Sequence, residues 1–482
     1  MPLKTSEEYV ESVRRLRHRV FIQGAPVDSV PDHPIAKPPV MALAQTYRMA
    51  ERKETESLFT AQSQITGGTV NRFTHIQHSV EDLVKKILML REMGRETASC
   101  FQRCAGLDCM NTLYAITYEI DEKYGTNYHD RFVLFMRHIQ ENDFVPAACM
   151  TDPKGERGVS PSKQEDPDQY LHVVDETKGG IVIRGAKLHI TGAVNSHELL
   201  IVPTRTLTEE DKAYALACAV SADAEGVTFI YGRQPSDTRR LEQTRSDVGN
   251  RFFGGSEAMV VFDDVFVPED RIFMKGEYAM AGRLVELFAA HHRASYGGCK
   301  VGVGDVLIGA AAAIAEAHGL DKANHIYDKI AEMVHLNETL HAGALGCASL
   351  GYPTSSGAYA VNALLANVCK LNVTRFPFEI ARLAQDIAGG LLVTMPSLDD
   401  LNNPLVGTYV RKYLRGKSGV DAEKRMRLLR LLENITLGAG AASYLTESIH
   451  GAGSPQAQKI MIKRLYDVEM AKSWAYRLCG IE

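Results

Sequence analysis

The hydrophobic pattern changes period twice along the 482 residues, and few folds accommodate that order. Apolar side chains recur at helical spacing to about residue 148, fall into short extended runs to about 275, and return to helical spacing afterwards. Helix, strand, helix predicts three domains packed into one body: an N-terminal helical domain over 1–148, a middle β domain over 149–275 and a C-terminal helical bundle over 276–482. Length agrees, since roughly 150 residues per domain gives about three.

Ser79-Val80-Glu81-Asp82 reads as a capping box with Asp in place of Glu, and Val80, Leu83, Val84, Ile87 and Leu88 follow at helical spacing. A helix over 80–93 is expected, interrupted by Gly94, then a second over 96–122 that carries Cys100 and Cys104 in its first turns and stops at Gly125. Gly180–Gly185, Val227–Tyr231 and Ala258–Pro268 read as strands. Beyond 278 separate helices are expected, beginning with Ala279–Arg293 and Gly304–His318 and ending with Ala457–Tyr476.

With 54 basic and 59 acidic residues, net charge -5, no basic field argues for nucleic acid or an anionic membrane. No run approaches the roughly 18 to 20 consecutive apolar residues of a membrane helix, and the N-terminus does not read as a signal peptide. The chain therefore reads as cytoplasmic, with small molecules and itself as partners. Nine cysteines, odd in number and scattered, do not form a secreted disulfide framework, and most read as small buried hydrophobes.

Residues with chemical potential gather in His291-His292-Arg293-Ala294-Ser295-Tyr296-Gly297-Gly298-Cys299-Lys300, and far upstream in Cys100-Phe101-Gln102-Arg103-Cys104. On a helix the two upstream thiols would share one face. Cys100, Cys104, His292 and Cys299 could then close around one metal centre, although a Cys-x3-Cys pair is more often packing than ligation. Three thiolates and one imidazole are a common zinc set, whereas 4Fe-4S clusters usually have four cysteines. Cys109, at a spacing that fits no three-cysteine cluster motif, stays structural.

Gly302-Val303-Gly304 misses both the G-x-G-x-x-G and the Walker spacing, and close helix packing explains it better. Gln385-Asp386-Ile387-Ala388-Gly389-Gly390 ends a helix, where exposed backbone groups could meet a ligand or where glycine simply stops the helix. Thr191-Gly192, at a strand end, has the same two readings. Glu257 and Glu447 lie in glycine-bearing loops beside apolar runs; most such carboxylates are solvated, and a catalytic role is the alternative.

Thr97–Cys104, MTDPKG at 150–155, Ser295–Asp305, QDIAGG at 385–390, Thr446-Glu447-Ser448 and HGAGSPQAQ at 450–458 are long, specific strings. On them, nearly end to end, the chain resembles the 4-hydroxybutyryl-CoA dehydratase branch of the 4-hydroxyphenylacetate 3-hydroxylase family. The resemblance implies an acyl-CoA dehydrogenase-like fold, mostly α with a central β-barrel-like domain, in a homotetramer built as a dimer of dimers. It also implies FAD and a 4Fe-4S cluster on Cys100, Cys104, His292 and Cys299, which displaces the zinc reading. Cys109 and His291 fall outside the family's pattern and read as packing residues. The Leu405–Tyr409 segment looks shorter than in the clostridial member.

The implied reaction is radical dehydration of an acyl-CoA thioester, 4-hydroxybutyryl-CoA, to crotonyl-CoA and water, with isomerisation of vinylacetyl-CoA to crotonyl-CoA. Acid–base chemistry alone is insufficient, because the thioester carbonyl activates the C2 proton but not the C3 proton. The resemblance makes His292 the base, Tyr296 a donor to the departing hydroxyl, Glu257 and Glu447 proton shuttles and Lys300 an electrostatic partner. Gln102 would line the substrate pocket and Thr191 would meet the flavin edge. Thr151, Asp152 and Lys154 would hold flavin or thioester groups, and Gln385, Gly389 and Gly390 would reach FAD across a subunit contact. Rival readings are a flavin-dependent aromatic monooxygenase of the hydroxylase type, whose members lack this thiol set, a simple acyl-CoA dehydrogenase, and a zinc-stapled non-enzymatic scaffold.

Overall fold

A computed structural model describes residues 3–481. Thr5 and Glu8 form a full capping box on the Ser6–Arg15 helix, which packs on Lys37–Glu51. The Val80–Thr97 helix starts where its capping residues place it, with the Ser79 hydroxyl accepting from the Asp82 amide at 3.0 Å. Gly94 does not interrupt it. A Cβ there would lie 2.8 Å from the Gly302 Cα, so this glycine pair lets two helix backbones touch.

The next helix begins at Cys104, not near 96, and runs to Tyr124 before Gly125 turns left-handed at φ 66°. Between the helices Ala98 (φ 44°) and Gln102 (φ 65°) adopt left-handed backbone, which a helix does not tolerate. Cys100 therefore sits in a loop, and the two upstream thiols do not share a helix face.

The β region forms two open sheets among the described residues, and the barrel-like arrangement is not found. The six-stranded sheet runs Ala25–Pro26, Val20–Ile22, Val227–Tyr231, Glu257–Pro268, Gly180–Thr191, His172–Thr177; the four-stranded one runs Ile272–Lys275, Leu216–Ser221, Glu198–Ile201, Pro146–Cys149. Closing the larger sheet would require pairing its far edges, and one of those is a two-residue strand. Along Gly180–Thr191 nearly every second residue is buried, so one face packs inward. One continuous apolar core, including Tyr9, Leu43, Phe132, Leu199, Phe229 and Phe262, joins the N-terminal helices to both sheets.

The two helices expected over 279–318 are one, Tyr278–Ala317, of 40 residues. Its glycines pack instead of terminating it: a Cβ on Gly298 would meet the Leu90 Cβ at 2.8 Å, and Gly304 abuts Asn337 of the Asn324–Ser349 helix. Contrary to expectation, this helix is long and apolar enough to cross a membrane, with mean hydropathy 1.6 over an 18-residue window. Of that window 61% is buried, and the helix is the axis on which Val80–Thr97, Asn324–Ser349 and Ala363–Val373 pack. Tyr359-Ala360 is a short strand, and the last expected helix is two, Pro455–Leu465 and Val468–Cys479.

Candidate functional site

Three elements bring thiols to one cavity. Cys100 comes from the left-handed loop, Cys104 from the first turn of the following helix and Cys299 from the middle of the long helix, with Lys300, Val303 and Ser443 completing the wall. The Cys104 and Cys299 thiols act on each other, and this pushes the Cys104 thiol up and pulls Cys299 below the ordinary thiol range. Burial, then Glu447, push Cys100 up.

His292 lies two turns before Cys299 on the same face of the long helix, yet is not part of the cavity wall. Its Nδ1 is 2.9 Å from Asp108 Oδ2, and Asp108, wholly buried, also accepts from Lys86 Nζ at 2.8 Å and Ser295 Oγ at 2.8 Å. Burial alone would raise the Asp108 carboxyl, but Lys86 and His292 more than offset it and hold it below the carboxylate range. A carboxylate partner fixes the proton on Nδ1 and leaves the lone pair on Nε2, the arrangement that makes a histidine a metal ligand or a base. The ring stacks on Phe288 and meets Tyr296 edge-on, with centroids 5.1 Å apart.

Among the described residues no three of His, Cys, Asp and Glu are gathered tightly enough for one metal ion. Zinc needs four donors at about 2.0–2.3 Å from a single point, and this geometry does not provide that set. The structure thus gathers three thiols and leaves the imidazole outside their cavity, two helical turns before Cys299 and next to Tyr296.

Acid–base groups adjoin the thiols. Antiparallel register sets Glu257 opposite Thr191, whose hydroxyl donates to Glu257 Oε1 at 2.6 Å. Burial, then Glu447, raise the Glu257 carboxyl well above its ordinary value, and the two carboxyls are hydrogen bonded to each other. Lys300 Nζ donates to the Ser443 carbonyl at 2.5 Å and to Glu447 Oε2 at 3.1 Å. Burial opposes its charge, but Glu447 and Cys299 raise Lys300 overall. Lys300 and Lys370 ammoniums lie 5.1 and 4.8 Å from the Tyr296 ring centre, and burial, with Lys300 and Arg293, lowers Lys370 to about 7.

Gln102 is 1% exposed and wholly engaged: its amide nitrogen donates to the Pro39, Cys100 and Gly254 carbonyls, and its oxygen accepts from Asn195 and Ser256, each at 2.6 Å. It pins the Cys100 loop. Thr151 accepts from the Leu188 amide through its carbonyl, Asp152 pairs with Lys187 at 2.7 Å, and Lys154 takes left-handed φ 76°. Gln385, Gly389 and Gly390 end the Phe376–Ala388 helix, where a Cβ on either glycine would touch nothing, and they form no part of the thiol cavity. Cys109 and His291 are buried packing residues. Sequence reasoning missed Asp108, Lys86 and Lys370, since single charged residues on helices read as solvated; the one signal was Asp108 standing a helical turn after Cys104.

The family model described as 4-hydroxyphenylacetate 3-hydroxylase N terminal matches residues 5–274, and its C-terminal counterpart matches 281–480. The chain belongs to the 4-hydroxyphenylacetate 3-hydroxylase family. Among relatives within it, the 4-hydroxybutyryl-CoA dehydratase/vinylacetyl-CoA-Δ-isomerase of Clostridium aminobutyricum is 51% identical over 489 residues, covering 100% of both chains. The oxygenase component of 4-hydroxyphenylacetate 3-monooxygenase of Thermus thermophilus is 25% identical over 97% of this chain and 96% of its own. The solved oxygen-tolerant archaeal 4-hydroxybutyryl-CoA dehydratase of N. maritimus superposes with TM-score 0.98 at 51% identity, over 100% of this chain and 96% of that one. A glutaryl-coenzyme A dehydrogenase, at TM-score 0.50, 14% identity and coverage of 85% and 82%, shares the fold alone. The family thus carries an acyl-CoA dehydrogenase-like fold.

Proposed function

We propose that this chain dehydrates 4-hydroxybutyryl-CoA to crotonyl-CoA and isomerises vinylacetyl-CoA to crotonyl-CoA. The observation that carries the reading is the set of three thiols on one cavity wall, with a carboxylate-pinned imidazole two helical turns before Cys299, in a chain 51% identical end to end to an enzyme of that name. The thiol set argues against the flavin monooxygenase reading. A cytoplasmic homotetramer and a division at 148/149 and 275/276 belong to the same proposal; Val468–Cys479 buries none of its residues and leaves Trp474 and Leu478 exposed for a second copy.

The donor set fits a 4Fe-4S cluster better than a single ion. Cys100, Cys104 and Cys299 would supply thiolates and His292 its Nε2, with Asp108 fixing the imidazole as ligand-orienting carboxylates do. For FAD, Thr151, Lys154 and Thr191 would meet the flavin, Asp152 would hold their loop, and Gln385, Gly389 and Gly390 would reach it from a neighbouring subunit. When bound, the cluster supplies a Lewis-acidic iron and the flavin a one-electron sink.

The protein's own groups handle protons. His292 Nε2, oriented by the Asp108 contact, would take the C2 proton only when it is not bound to iron, since the same lone pair serves both roles. Glu257 keeps its proton because burial and the adjoining Glu447 carboxyl both oppose its charge, and it can deliver that proton to a carbon or leaving oxygen. Burial, then Glu447, keep the Tyr296 phenol protonated, so it can donate to the departing hydroxyl. Lys300 holds Glu447 in place and balances the charge. Gln102 shapes the pocket by fixing the Cys100 loop. Anaerobic incubation with 4-hydroxybutyryl-CoA and no electron acceptor tests the reading: crotonyl-CoA is the expected product, and absence of turnover by iron- and flavin-loaded protein overturns it.

A further inference from the structure

Two cavities of several hundred Å³ lie outside the thiol site. One, about 700 Å³, is lined by Lys37, Arg48, Arg52, Arg240, Arg245 and Arg251, with Glu96 as its one carboxylate. In a chain with 59 acidic and 54 basic residues this is a local reversal of charge. Three of the cations are already occupied. Arg52 pairs with Glu96 and Arg48 with Glu7, each at 3.2 Å, and Arg240 donates to the Asn250 and Phe253 carbonyls at 2.6 and 3.2 Å, fixing the segment between them. Lys37, Arg245 and Arg251 have no ion-pair partner among the described residues. Phe252, 71% exposed, stands beside them at the rim.

A second cavity, about 650 Å³, shares Glu96, Arg251, Phe252 and Phe253 with the first, and Ala98, Val306, Leu428 and Leu431 line it together with Asp421, Glu423, Lys424 and Arg427. Ala98 also lines the thiol cavity. Farther along the segment, a Cβ on Gly255 would stand 3.4 Å from the Cys100 Cβ, so the loop bearing Arg251 and Phe252 leads to the thiols. A cationic groove, a cleft with apolar residues between charged ones of both signs, and the thiol cavity therefore adjoin in that order, and the two large cavities are of ligand size, roughly 300–1,000 Å³.

A CoA thioester has the same order of chemistry: a phosphorylated adenosine diphosphate, an uncharged pantetheine arm, then the reacting acyl group. Resting on the proposed function, we infer that Lys37, Arg245 and Arg251 bind the phosphates of the CoA tail, Phe252 stacks on the adenine, and the apolar residues Ala98, Val306 and Leu428 of the cleft take the pantetheine arm. Arginine suits this task because its planar fork meets phosphate oxygens two at a time. The adenosine diphosphate half of a flavin carries the same chemistry, and the test separates the two.

Holoenzyme of wild type, Arg251→Gln and the Arg245→Glu/Arg251→Glu double variant is titrated calorimetrically with CoA at low and high salt, and bound flavin is quantified in each. The expected result is a loss of CoA affinity of about tenfold for the single variant and more than a hundredfold for the double, a wild-type affinity that falls with salt, and equal flavin content throughout. Arg251→Gln alters one exposed side chain and guards against a misfolded double variant. CoA affinity equal to wild type in Arg251→Gln and the double variant overturns the inference while leaving the reaction standing, provided wild type makes crotonyl-CoA. Flavin loss with unchanged CoA affinity also overturns it, and gives the groove to the flavin. A wild type that neither binds CoA nor turns over the thioester removes the proposed function and this site together.

Discussion

Asp108 has no exposed side-chain surface, yet it holds an ammonium, a hydroxyl and an imidazole at once. Removing either member of its ion pair strands a buried charge, which costs about 3–5 kcal/mol, whereas replacing both with apolar groups of similar volume costs far less. Asp108→Leu and Lys86→Met should each lower the thermal unfolding midpoint substantially, and Lys86→Met/Asp108→Leu should recover much of it; a double-mutant cycle by calorimetry checks this, and additive losses would contradict it. None of this was legible in the sequence, where a lone aspartate in a helix reads as solvated. The thiols were legible as ligand types but not as geometry. Ala98 and Gln102, neither of them glycine, adopt left-handed backbone that no local signal announces, and that backbone lifts Cys100 off the helix.

Glycine was the least readable signal at the scale of elements. Gly94 looked like an interruption, and the glycines over 297–304 divided one helix into two; in both places they mark where backbones cross. The cap positions were read correctly at Ser79 and Gly125, although Asp82 accepts from the His78 amide and not from that of Ser79 as a capping box requires; a cap depends on a few neighbouring residues, whereas a crossing depends on another element. Gly302 and Gly309 share one helix and should respond oppositely to alanine. At Gly302 the new Cβ meets the Arg91 carbonyl and the Gly94 Cα, so overpacking costs about 1–3 kcal/mol. At Gly309 nothing lies within 4 Å, so the better helix former gains about 0.5–1 kcal/mol. Differential scanning calorimetry of the two variants should move the midpoint down and up respectively; a fall for both would contradict the packing account.

For the whole molecule, the helix, strand, helix order was written in the period of the apolar residues and holds in outline, although Val20–Ile22 and Ala25–Pro26 come from the stretch expected to be helical and pair into the larger sheet. Closure of the sheet was not, since two open sheets and a barrel share the same alternation. The site joins what the sequence keeps far apart: the loop before Cys104, the start of the Glu257 strand, the middle of the 40-residue helix and the π-helical segment that carries Ser443. The central claim is that these parts hold an iron–sulfur cluster next to a thioester. Iron and acid-labile sulfide, measured per chain on anaerobically purified protein, test it most directly. The account predicts about four of each in the wild type, with both lost in Cys299→Ala while flavin stays bound; zinc, or flavin-loaded and active protein without iron or sulfide, would contradict it.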